Sequence, residues 1–355
     1  TPRVSKVRFG GITYDTLIFA GGYDTNKDAT ATDEDGSRGA DTEGNAIFIV
    51  NALDGTLIWK AVYGASTAAI NNGRYEHASL QYSIPSTATT LDSNRNGIVD
   101  RVYVGDTGGQ VWRVDLPEGD SADTNHRLNH WDISVLADLS DAADSEDVRF
   151  FHAPDVIQTK DDNGFYDAVV IASGDRANPL ESTDQNYMYM IKDRYIASGS
   201  PSATTTDDTN LTDVTSCATT CAAFTYDYGW KMELSQSGEK GLSSPLVSNG
   251  TVFFTSYTPY SAAGSSCAPR EGNGNLYLMN LSDGSASFTN SRQIDIGPGI
   301  PASPIALNGD TILLPGTGLQ TIPTNTNFSG SDNLIQVGGR SMWLLYWRET
   351  GVDTL

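Results

Sequence analysis

A short β-rich pattern recurs along the chain and constrains its fold more than any other feature. Each copy has a polar residue or glycine, a short run of β-branched, aromatic and other apolar residues, and then usually small or polar residues. Such runs, when bounded by turn residues, are typical of β-strands. The repeat therefore predicts one strand-containing unit used several times. The copies begin at Asp15, Asp100, Asp167, Gly250 and Asp310.

Two further motifs accompany this strand. A glycine- or asparagine-led strand often follows it and in places ends in Asp-Gly, which indicates a hairpin. A segment with proline near its start often precedes it, and proline suits an entry or edge strand because no ladder donor is required there. Together the three motifs form the pattern of a β-propeller blade. The prolines concerned are Pro154, Pro245 and Pro304.

We therefore predict an all-β fold, a modified β-propeller with five recognisable copies of the blade and residues 1–355 in a single domain. The copies lie farther apart than the about 40–50 residues of an ordinary blade, so long loop insertions or degenerate extra blades, up to about seven in all, fill the excess. Residues 121–147 predict a short helix, since Leu136 and Leu139 have helical spacing among acidic residues. Residues 340–348 predict a closing strand.

The charge of the chain limits its partners. There are 44 acidic and 22 basic residues, giving a formal net charge of −22. Such a field repels phosphate backbones and anionic lipid surfaces, so we expect no nucleic-acid partner. No apolar stretch approaches the length of a membrane span, so no membrane insertion is expected either. The first residues lack a signal-peptide pattern, which indicates a fragment or a mature product.

Three cysteines, Cys217, Cys221 and Cys267, lie in Gly/Ser/Thr-rich segments between predicted strands. This placement favours a structural disulfide and an oxidising compartment. All three pairings stay open, and each leaves one thiol over. A cysteine metal site is disfavoured, because only Cys217 and Cys221 are close in sequence and no histidine lies near them.

The segment from Asp92 to Asp100 has the ligand spacing of an EF-hand-type calcium loop. Asp92, Asn94, Asn96 and Asp100 occupy loop positions 1, 3, 5 and 9, glycine occupies position 6, and Ile98 is placed to supply its carbonyl from position 7. An ordinary EF-hand is excluded, since position 12 is a tyrosine and the loop continues into a predicted strand. The sequence thus predicts a Ca²⁺ site grafted onto a sheet, the alternative being an Asn/Gly-rich turn of similar sequence.

Other segments offer weaker sites. Residues 159–167 align with the calcium loop through Asn163, Gly164 and Asp167 but lack its first aspartate, so a plain turn is favoured over a weak cation site. The acidic segment from Asp24 to Asp41 is either a second calcium site or an acidic loop. His126 and His130 could pair on one helical turn, but no third ligand is evident and solvated side chains are favoured.

The chain resembles the C-terminal domain of the PilC/PilY family, the type IV pilus tip-associated adhesin and biogenesis proteins. The resemblance spans roughly residues 10–350 and rests on residues 91–116, 153–156, 242–259 and 274–279. It implies a modified β-propeller from a larger secreted protein at the surface of a Gram-negative bacterium, exported through the periplasm. It also implies a protein that acts together with minor pilins at the pilus tip. Such a protein promotes pilus extension against retraction and supports surface adhesion and twitching motility.

Carried over residue by residue, the resemblance places the family's side-chain ligands of Ca²⁺ on Asp92, Asn94, Asn96 and Asp100 and its carbonyl ligand on Ile98. Amides at two of these positions lower the charge of the loop, which predicts weak affinity of about 10⁻⁴–10⁻³ M, as in extracellular modules. The family's adhesive N-terminal region is missing from this sequence. A surface or host ligand is therefore expected to bind elsewhere in the larger protein.

Three functions remain open at this point. The first is a non-catalytic calcium-binding module in which the ion holds the loop in a state that a pilus partner recognises. The second is an enzyme, because the glycine-led strands with Asp-Gly ends also resemble the propellers of quinoprotein dehydrogenases, which use pyrroloquinoline quinone. The third is a structural domain in which calcium only stabilises the fold. No nucleophile elbow or phosphate-binding glycine loop supports catalysis.

Overall fold

The computed structural model describes residues 1–9, 11–28, 41–71, 73–118, 131–140, 148–196, 205–217, 219, 221, 227–260, 271–287, 291–307, 311–314 and 334–336. Within these ranges the chain forms β-strands and two short 3₁₀ turns, Thr25–Asp28 and Asp208–Asn210. The strands in chain order are β1 (Arg3–Phe9), β2 (Ile12–Ala20), β3 (Ala46–Asn51), β4 (Leu57–Tyr63), β5 (Ala68–Asn71), β6 (Arg74–His77), β7 (Thr89–Leu91), β8 (Arg101–Gly105), β9 (Gln110–Asp115), β10 (Asp132–Asp138), β11 (Asp155–Asp161), β12 (Gly164–Ala172), β13 (Tyr187–Asp193), β14 (Thr206–Asp207), β15 (Thr212–Asp213), β16 (Gly229–Glu233), β17 (Leu246–Ser248), β18 (Thr251–Thr258), β19 (Asn273–Asn280), β20 (Gln293–Pro298), β21 (Ile305–Leu307), β22 (Thr311–Leu313) and β23 (Leu334–Gln336).

These strands form five sheets. Their strand orders are β1-β2-β3-β4-β6-β5, β14-β10-β9-β8-β7, β11-β12-β13-β16-β15, β17-β18-β19-β20 and β21-β22-β23. The recurring apolar strand is the second strand from one edge in every sheet, as β2, β8, β12, β18 and β22. The all-β, propeller-like fold predicted from the repeat is thus confirmed. That residues 1–355 form one domain stays a prediction.

The predicted entry strands are also confirmed. Pro154, Pro245 and Pro304 each precede a strand, and those strands, β11, β17 and β21, are edge strands of the third, fourth and fifth sheets. An edge strand leaves one row of its backbone donors out of the ladder, so proline at its entrance removes no sheet hydrogen bond.

In the central strands β8 and β12, alternate residues pack against opposite neighbouring sheets. In β8, Val102 and Val104 pack with the first sheet, whereas Tyr103 packs with the third. In β12, Val170 faces the fourth sheet and Val169 faces the second. Because successive side chains point to opposite faces, a strand between two sheets must be apolar at consecutive positions. This requirement explains the apolar runs of the repeat.

The helix predicted within residues 121–147 is wrong where the structure describes that segment. Residues 132–138 form β10, which pairs antiparallel with β9 and has a register shift between Val135 and Ala137. The bulge breaks the two-residue alternation, so Ile133, Leu136 and Leu139 are all buried. Burial every third residue imitates the spacing of a helix.

The cysteine pairing left open by the sequence is Cys217 with Cys221, which form a disulfide. Both side chains pack against the apolar cluster between the third and fourth sheets. Cys267, His126, His130 and the predicted closing strand at 340–348 lie outside the described residues. In the described part of the chain, no helix is long and apolar enough to cross a membrane.

Candidate metal site

The loop from Asp92 to Asp100 connects β7 to β8, and its two ends are joined by the ladder between these strands. Leu91 lies opposite Arg101, and the Asp100 amide donates to the Leu91 carbonyl at 2.9 Å. The Val99 amide donates to the Lys6 carbonyl of β1 at 2.8 Å. The loop therefore lies at the junction of the first and second sheets, on a rigid base.

Inside the loop, side-chain oxygens accept hydrogen bonds from the backbone that follows them. Asp92 accepts from the Asn96 amide at 3.1 Å and from the Gly97 amide at 2.7 Å. Asn94 Oδ1 accepts from the Asn96 amide at 3.0 Å, and Asn96 Oδ1 accepts from the Ile98 amide at 2.8 Å. Each oxygen keeps a further lone pair. The side-chain oxygens of Asp92, Asn94 and Asn96, at loop positions 1, 3 and 5, thus lie in one tight turn.

Asp100 closes the loop from within. It is 4% exposed, and its Oδ2 accepts from the Ser93 amide at 2.7 Å and from the Ser93 hydroxyl at 2.6 Å. Its Oδ1 accepts from Asn94 Nδ2 at 3.4 Å. The structure thus places Asp92, Asn94, Asn96 and Asp100 in one hydrogen-bonded turn, and their role as metal ligands stays a prediction. Ile98, the predicted carbonyl ligand, anchors the same turn through its buried side chain, which is 8% exposed.

Glu118 is a neighbour of the loop that sequence reasoning missed. It follows β9, and its Oε1 accepts from Asn96 Nδ2 at 2.5 Å and from Asn94 Nδ2 at 3.3 Å. Its Oε2 lies 3.8 Å from Nη1 of Arg8 in β1. Nothing in its local sequence could have identified it, because its proximity arises only from the pairing of β8 with β9.

The chemistry of these residues suits a hard cation. All the candidate ligands are oxygens, as Ca²⁺ requires, and none is a thiolate or an imidazole. Among the described residues, no group of three acidic, histidine or cysteine side chains lies close enough together to hold a metal ion. Binding at Asp92–Asp100 would therefore depend on amide and carbonyl oxygens as well as carboxylates.

The segment at residues 159–167 forms the hairpin between β11 and β12. Asp161 is paired with Lys192 Nζ at 2.7 Å and with Arg194 Nη2 at 2.6 Å. The hydrogen bond from Arg194, followed by that from Lys192, holds the pKa of Asp161 well below its usual value despite partial burial. The Asp161 carboxylate, which a calcium ion would need as a ligand, is thus already paired with two cationic side chains. This pairing favours a plain turn over a cation site.

Asp167 of the same segment belongs to a buried ionic network between the second and third sheets. It pairs with Arg101 at 2.8 Å, while Asp193 pairs with Arg113 at 2.8 Å, and all four side chains are 0% exposed. The Tyr103 hydroxyl lies within hydrogen-bond distance, 2.8 Å, of both carboxylates. Desolvation raises the pKa of Asp193 although Arg113 opposes the shift. These groups hold two sheets together rather than facing solvent.

The acidic segment beginning at Asp24 is described only in part. Burial alone would raise the pKa of Asp24, but hydrogen bonds from Glu43, Asn26 and Thr42 lower it. Asp41 is 3% exposed and accepts from the Ser83 amide at 2.6 Å. Both carboxylates therefore stabilise turns. Whether the segment binds calcium stays a prediction, because residues 29–40 lie outside the described ranges.

The two described histidines are not arranged as metal ligands. The ring of His77 packs edge-on against Trp112, with centroids 4.9 Å apart, and its Nδ1 accepts from the Ser79 amide. His152 Nε2 lies 3.3 Å from Arg176 Nη1. Burial, aided by the Arg176 charge, lowers the pKa of His152 to about 4. At neutral pH both therefore serve packing and hydrogen bonding.

The curated proteins that are similar to this chain are type IV pilus biogenesis factors. No protein-family model matches the chain. The chain is 25% identical over 276 residues to the type IV pilus biogenesis factor PilY1 homolog of Xylella fastidiosa, covering 70% of this chain and 17% of that protein. It is 34% identical over 94 residues to the type IV pilus biogenesis factor PilY1 of Pseudomonas aeruginosa, covering 26% of this chain and 7% of that protein. The chain thus spans a small part of both relatives.

Among solved structures, the crystal structure of the Pseudomonas aeruginosa PilY1 C-terminal domain is similar to this fold. The TM-score is 0.59 at 14% identity, covering 89% of this chain and 70% of that domain. A quinohemoprotein alcohol dehydrogenase from Comamonas testosteroni gives a TM-score of 0.42 at 10% identity. The latter value is too low to support the dehydrogenase alternative.

Proposed function

Because this chain is a PilY1-family relative that shares the fold of the PilY1 C-terminal domain, we propose that it is a calcium-binding, non-catalytic module of a type IV pilus tip-associated protein. In this role it supports pilus extension against retraction, surface adhesion and twitching motility. Its partners are minor pilins at the pilus tip, outside the cell. A surface or host ligand binds through another part of the longer protein.

The observation that supports calcium binding is the closed turn between Asp92 and Asp100. The oxygens of positions 1, 3 and 5 are gathered by backbone donors, and the position 9 carboxylate is buried beneath them. Two carboxylates with two amides give a low formal charge, which argues for weak binding of about 10⁻⁴–10⁻³ M. The ion stabilises the ordered loop by offsetting repulsion between Asp92 and Asp100.

Isothermal titration calorimetry tests the binding. We expect the wild-type chain to bind one Ca²⁺ in the stated range, and Asp92→Asn and Asp100→Asn to lose binding because each removes one of the two formal charges and leaves a neutral amide oxygen in place of a carboxylate. Asp162→Asn is the matched control, since Asp162 is an exposed aspartate in the hairpin turn between β11 and β12. A wild-type chain without bound calcium, or nanomolar affinity, contradicts this proposal.

Regulation of the pilus is tested separately in bacteria carrying Asp100→Asn in the full-length protein. If ion occupancy controls a partner contact, these cells show fewer extended pili and reduced twitching at normal protein levels. If calcium only stabilises the domain, the variant lowers the melting temperature without changing pilus number. Normal extension and retraction in a variant that no longer binds Ca²⁺ contradict the regulatory role.

A further inference from the structure

A cavity lies at the junction of the second and third sheets. Its volume is about 360 Å³, which falls within the range of about 300–1,000 Å³ that is typical of small-molecule sites. The cavity is lined by the end of β13 and the two residues after it, by the turn between β11 and β12, by β10 and β14, and by the segment that leads into β16. Its lining shares no residue with the loop from Asp92 to Asp100.

Two tyrosine rings at this cavity are open to solvent. Tyr195 is 39% exposed and Tyr228 is 45% exposed, and both line the cavity. Their backbones are fixed by the third sheet. The Tyr195 amide donates to Oδ1 of the buried Asp193 at 3.0 Å, and the Tyr228 carbonyl accepts from the Lys192 amide at 2.9 Å. Two aromatic side chains are thus attached to a rigid base beside a cavity that a ligand could fill.

The charged groups at the cavity balance one another. Lys192 and Arg194 both pair with Asp161, at 2.7 and 2.6 Å. Both cations also lie over the ring of Tyr166, at 4.8 and 5.2 Å from its centroid. These cations disfavour a cationic ligand, and their pairing with a carboxylate leaves little attraction for an anionic one. The net charge of −22 repels an anion further. A neutral ligand therefore suits the cavity best.

Polar side chains complete the lining. Asn163 and Asp227 are exposed, and Asn163 Nδ2 lies 3.4 Å from Asp227 Oδ1. An amide offers a donor and an acceptor, a carboxylate offers acceptors, and the Thr206 hydroxyl offers both. A sugar has the matching chemistry. Its hydroxyls donate and accept around the edge of the ring, and the C–H groups of its ring face are attracted to the negative face of an aromatic side chain.

We infer that this cavity binds a neutral saccharide of one or two sugar rings, which stacks against Tyr195 and Tyr228. Asn163 and Asp227 orient its hydroxyls by hydrogen bonds. The inference goes beyond the proposed function and does not rest on calcium, because the two sites share no residue. The saccharide is also distinct from the surface or host ligand proposed to bind another part of the longer protein.

A glycan array followed by saturation-transfer NMR tests the inference on the whole chain, with EDTA present throughout. We expect the wild type to bind a neutral glycan on the array, and saturation to reach the ring C–H protons of that glycan most strongly. Tyr228→Ala should weaken its affinity about tenfold, because a stacking contact is lost. Tyr228→Phe keeps the aromatic ring and should stay within about twofold of the wild type.

Tyr63→Ala is the matched control, because Tyr63 is 44% exposed at the end of β4 and lies outside the cavity. A wild-type chain that binds no neutral glycan on the array overturns the inference, and so does binding confined to acidic glycans. Equal affinity in Tyr228→Ala and Tyr63→Ala overturns the assignment of this cavity. Calcium titrations of the same variants should match the wild type, so a failed calcium site and a failed saccharide site are told apart. Melting curves confirm that each variant is folded.

Discussion

Arg95 and Gly97 give the loop from Asp92 to Asp100 its bend, since both have left-handed backbone conformations with φ values of 61° and 86°. Glycine adopts this conformation freely, whereas a residue with a Cβ is strained by about 1–2 kcal/mol. Gly97 therefore suits its left-handed conformation, whereas Arg95 is strained in the same conformation. The loop keeps Arg95 in this conformation because the hydrogen bonds to Asp92 and Asn94 span it.

Substitutions at these two positions are expected to have opposite effects. Gly97→Ala should lower the free energy of unfolding by about 1 kcal/mol, because an L-residue is strained at that φ although there is space for a Cβ. Arg95→Gly removes strain and should leave stability unchanged or raise it by up to about 1 kcal/mol. Urea denaturation in EDTA measures both. Equal losses in the two variants would show that loop strain is not the cause.

The proximity of the polar residues in this loop could be predicted from sequence, because they are spaced within nine positions and the turn itself brings them together. Glu118 could not, because only the antiparallel pairing of β8 and β9 places it there. Neighbours brought together by local geometry leave a sequence signature. Neighbours brought together by sheet pairing do not.

At the scale of the element, strands β10, β11 and β12 show where pattern reasoning succeeds and fails. β12 has apolar residues at consecutive positions because sheets lie on both of its faces, and its run predicts a strand correctly. β10 is interrupted by a bulge, so its large buried residues Ile133 and Leu136 lie three positions apart and imitate the spacing of a helix. A bulge is set by pairing with β9, and nothing in the segment alone distinguishes it from a helical turn.

The hairpin between β11 and β12 gives a pH-dependent prediction. The pKa of Asp161 is lowered in the folded state, chiefly by the hydrogen bond from Arg194 and also by that from Lys192. Its stabilising effect is therefore present above the unfolded pKa of about 3.9 and is lost as pH falls below that value. Asp161→Asn should lower the free energy of unfolding by about 1 kcal/mol at pH 7.

As pH falls below about 3.9 the wild type and Asp161→Asn should begin to converge, because the unfolded wild type then binds a proton at Asp161 that the folded protein does not. Denaturant titrations of both proteins across this pH range measure the difference. Asp162→Asn, at the exposed neighbouring residue, is expected to follow the wild type at every pH. A constant difference between wild type and Asp161→Asn would mean that packing, and not charge, causes the loss.

For the whole molecule, the repeat predicted the five sheets but not their full strand order. The central strands β8 and β12 carry the clearest signal because both are covered on both faces. The parallel pairs β4 with β6, β10 with β14 and β15 with β16 carry none, because each adds a very short strand, β6, β14 or β15, that is reached through a connecting segment rather than a hairpin. Such outer strands depend on loop conformation, which no periodic pattern records.

The net charge of −22 makes the whole molecule sensitive to cations, and this sensitivity provides a test of specific calcium binding. General screening by salt stabilises any strongly acidic fold, whereas a specific site adds stability according to its affinity. With a dissociation constant of about 10⁻⁴–10⁻³ M, about 10 mM Ca²⁺ should raise the free energy of unfolding by about 1.4–2.7 kcal/mol. The corresponding rise in melting temperature is a few degrees.

The decisive comparison is between CaCl₂ and NaCl at equal ionic strength, followed by scanning calorimetry. The wild type should melt at a higher temperature in CaCl₂, and EDTA should abolish the difference. Asp92→Asn and Asp100→Asn should respond equally to both salts, since they retain the acidic surface but lose the site. MgCl₂ should have a smaller effect than CaCl₂ on the wild type, because Mg²⁺ demands a stricter octahedral geometry than this turn provides. Identical melting of the wild type in CaCl₂ and NaCl would mean that calcium acts on this molecule only as a screening ion.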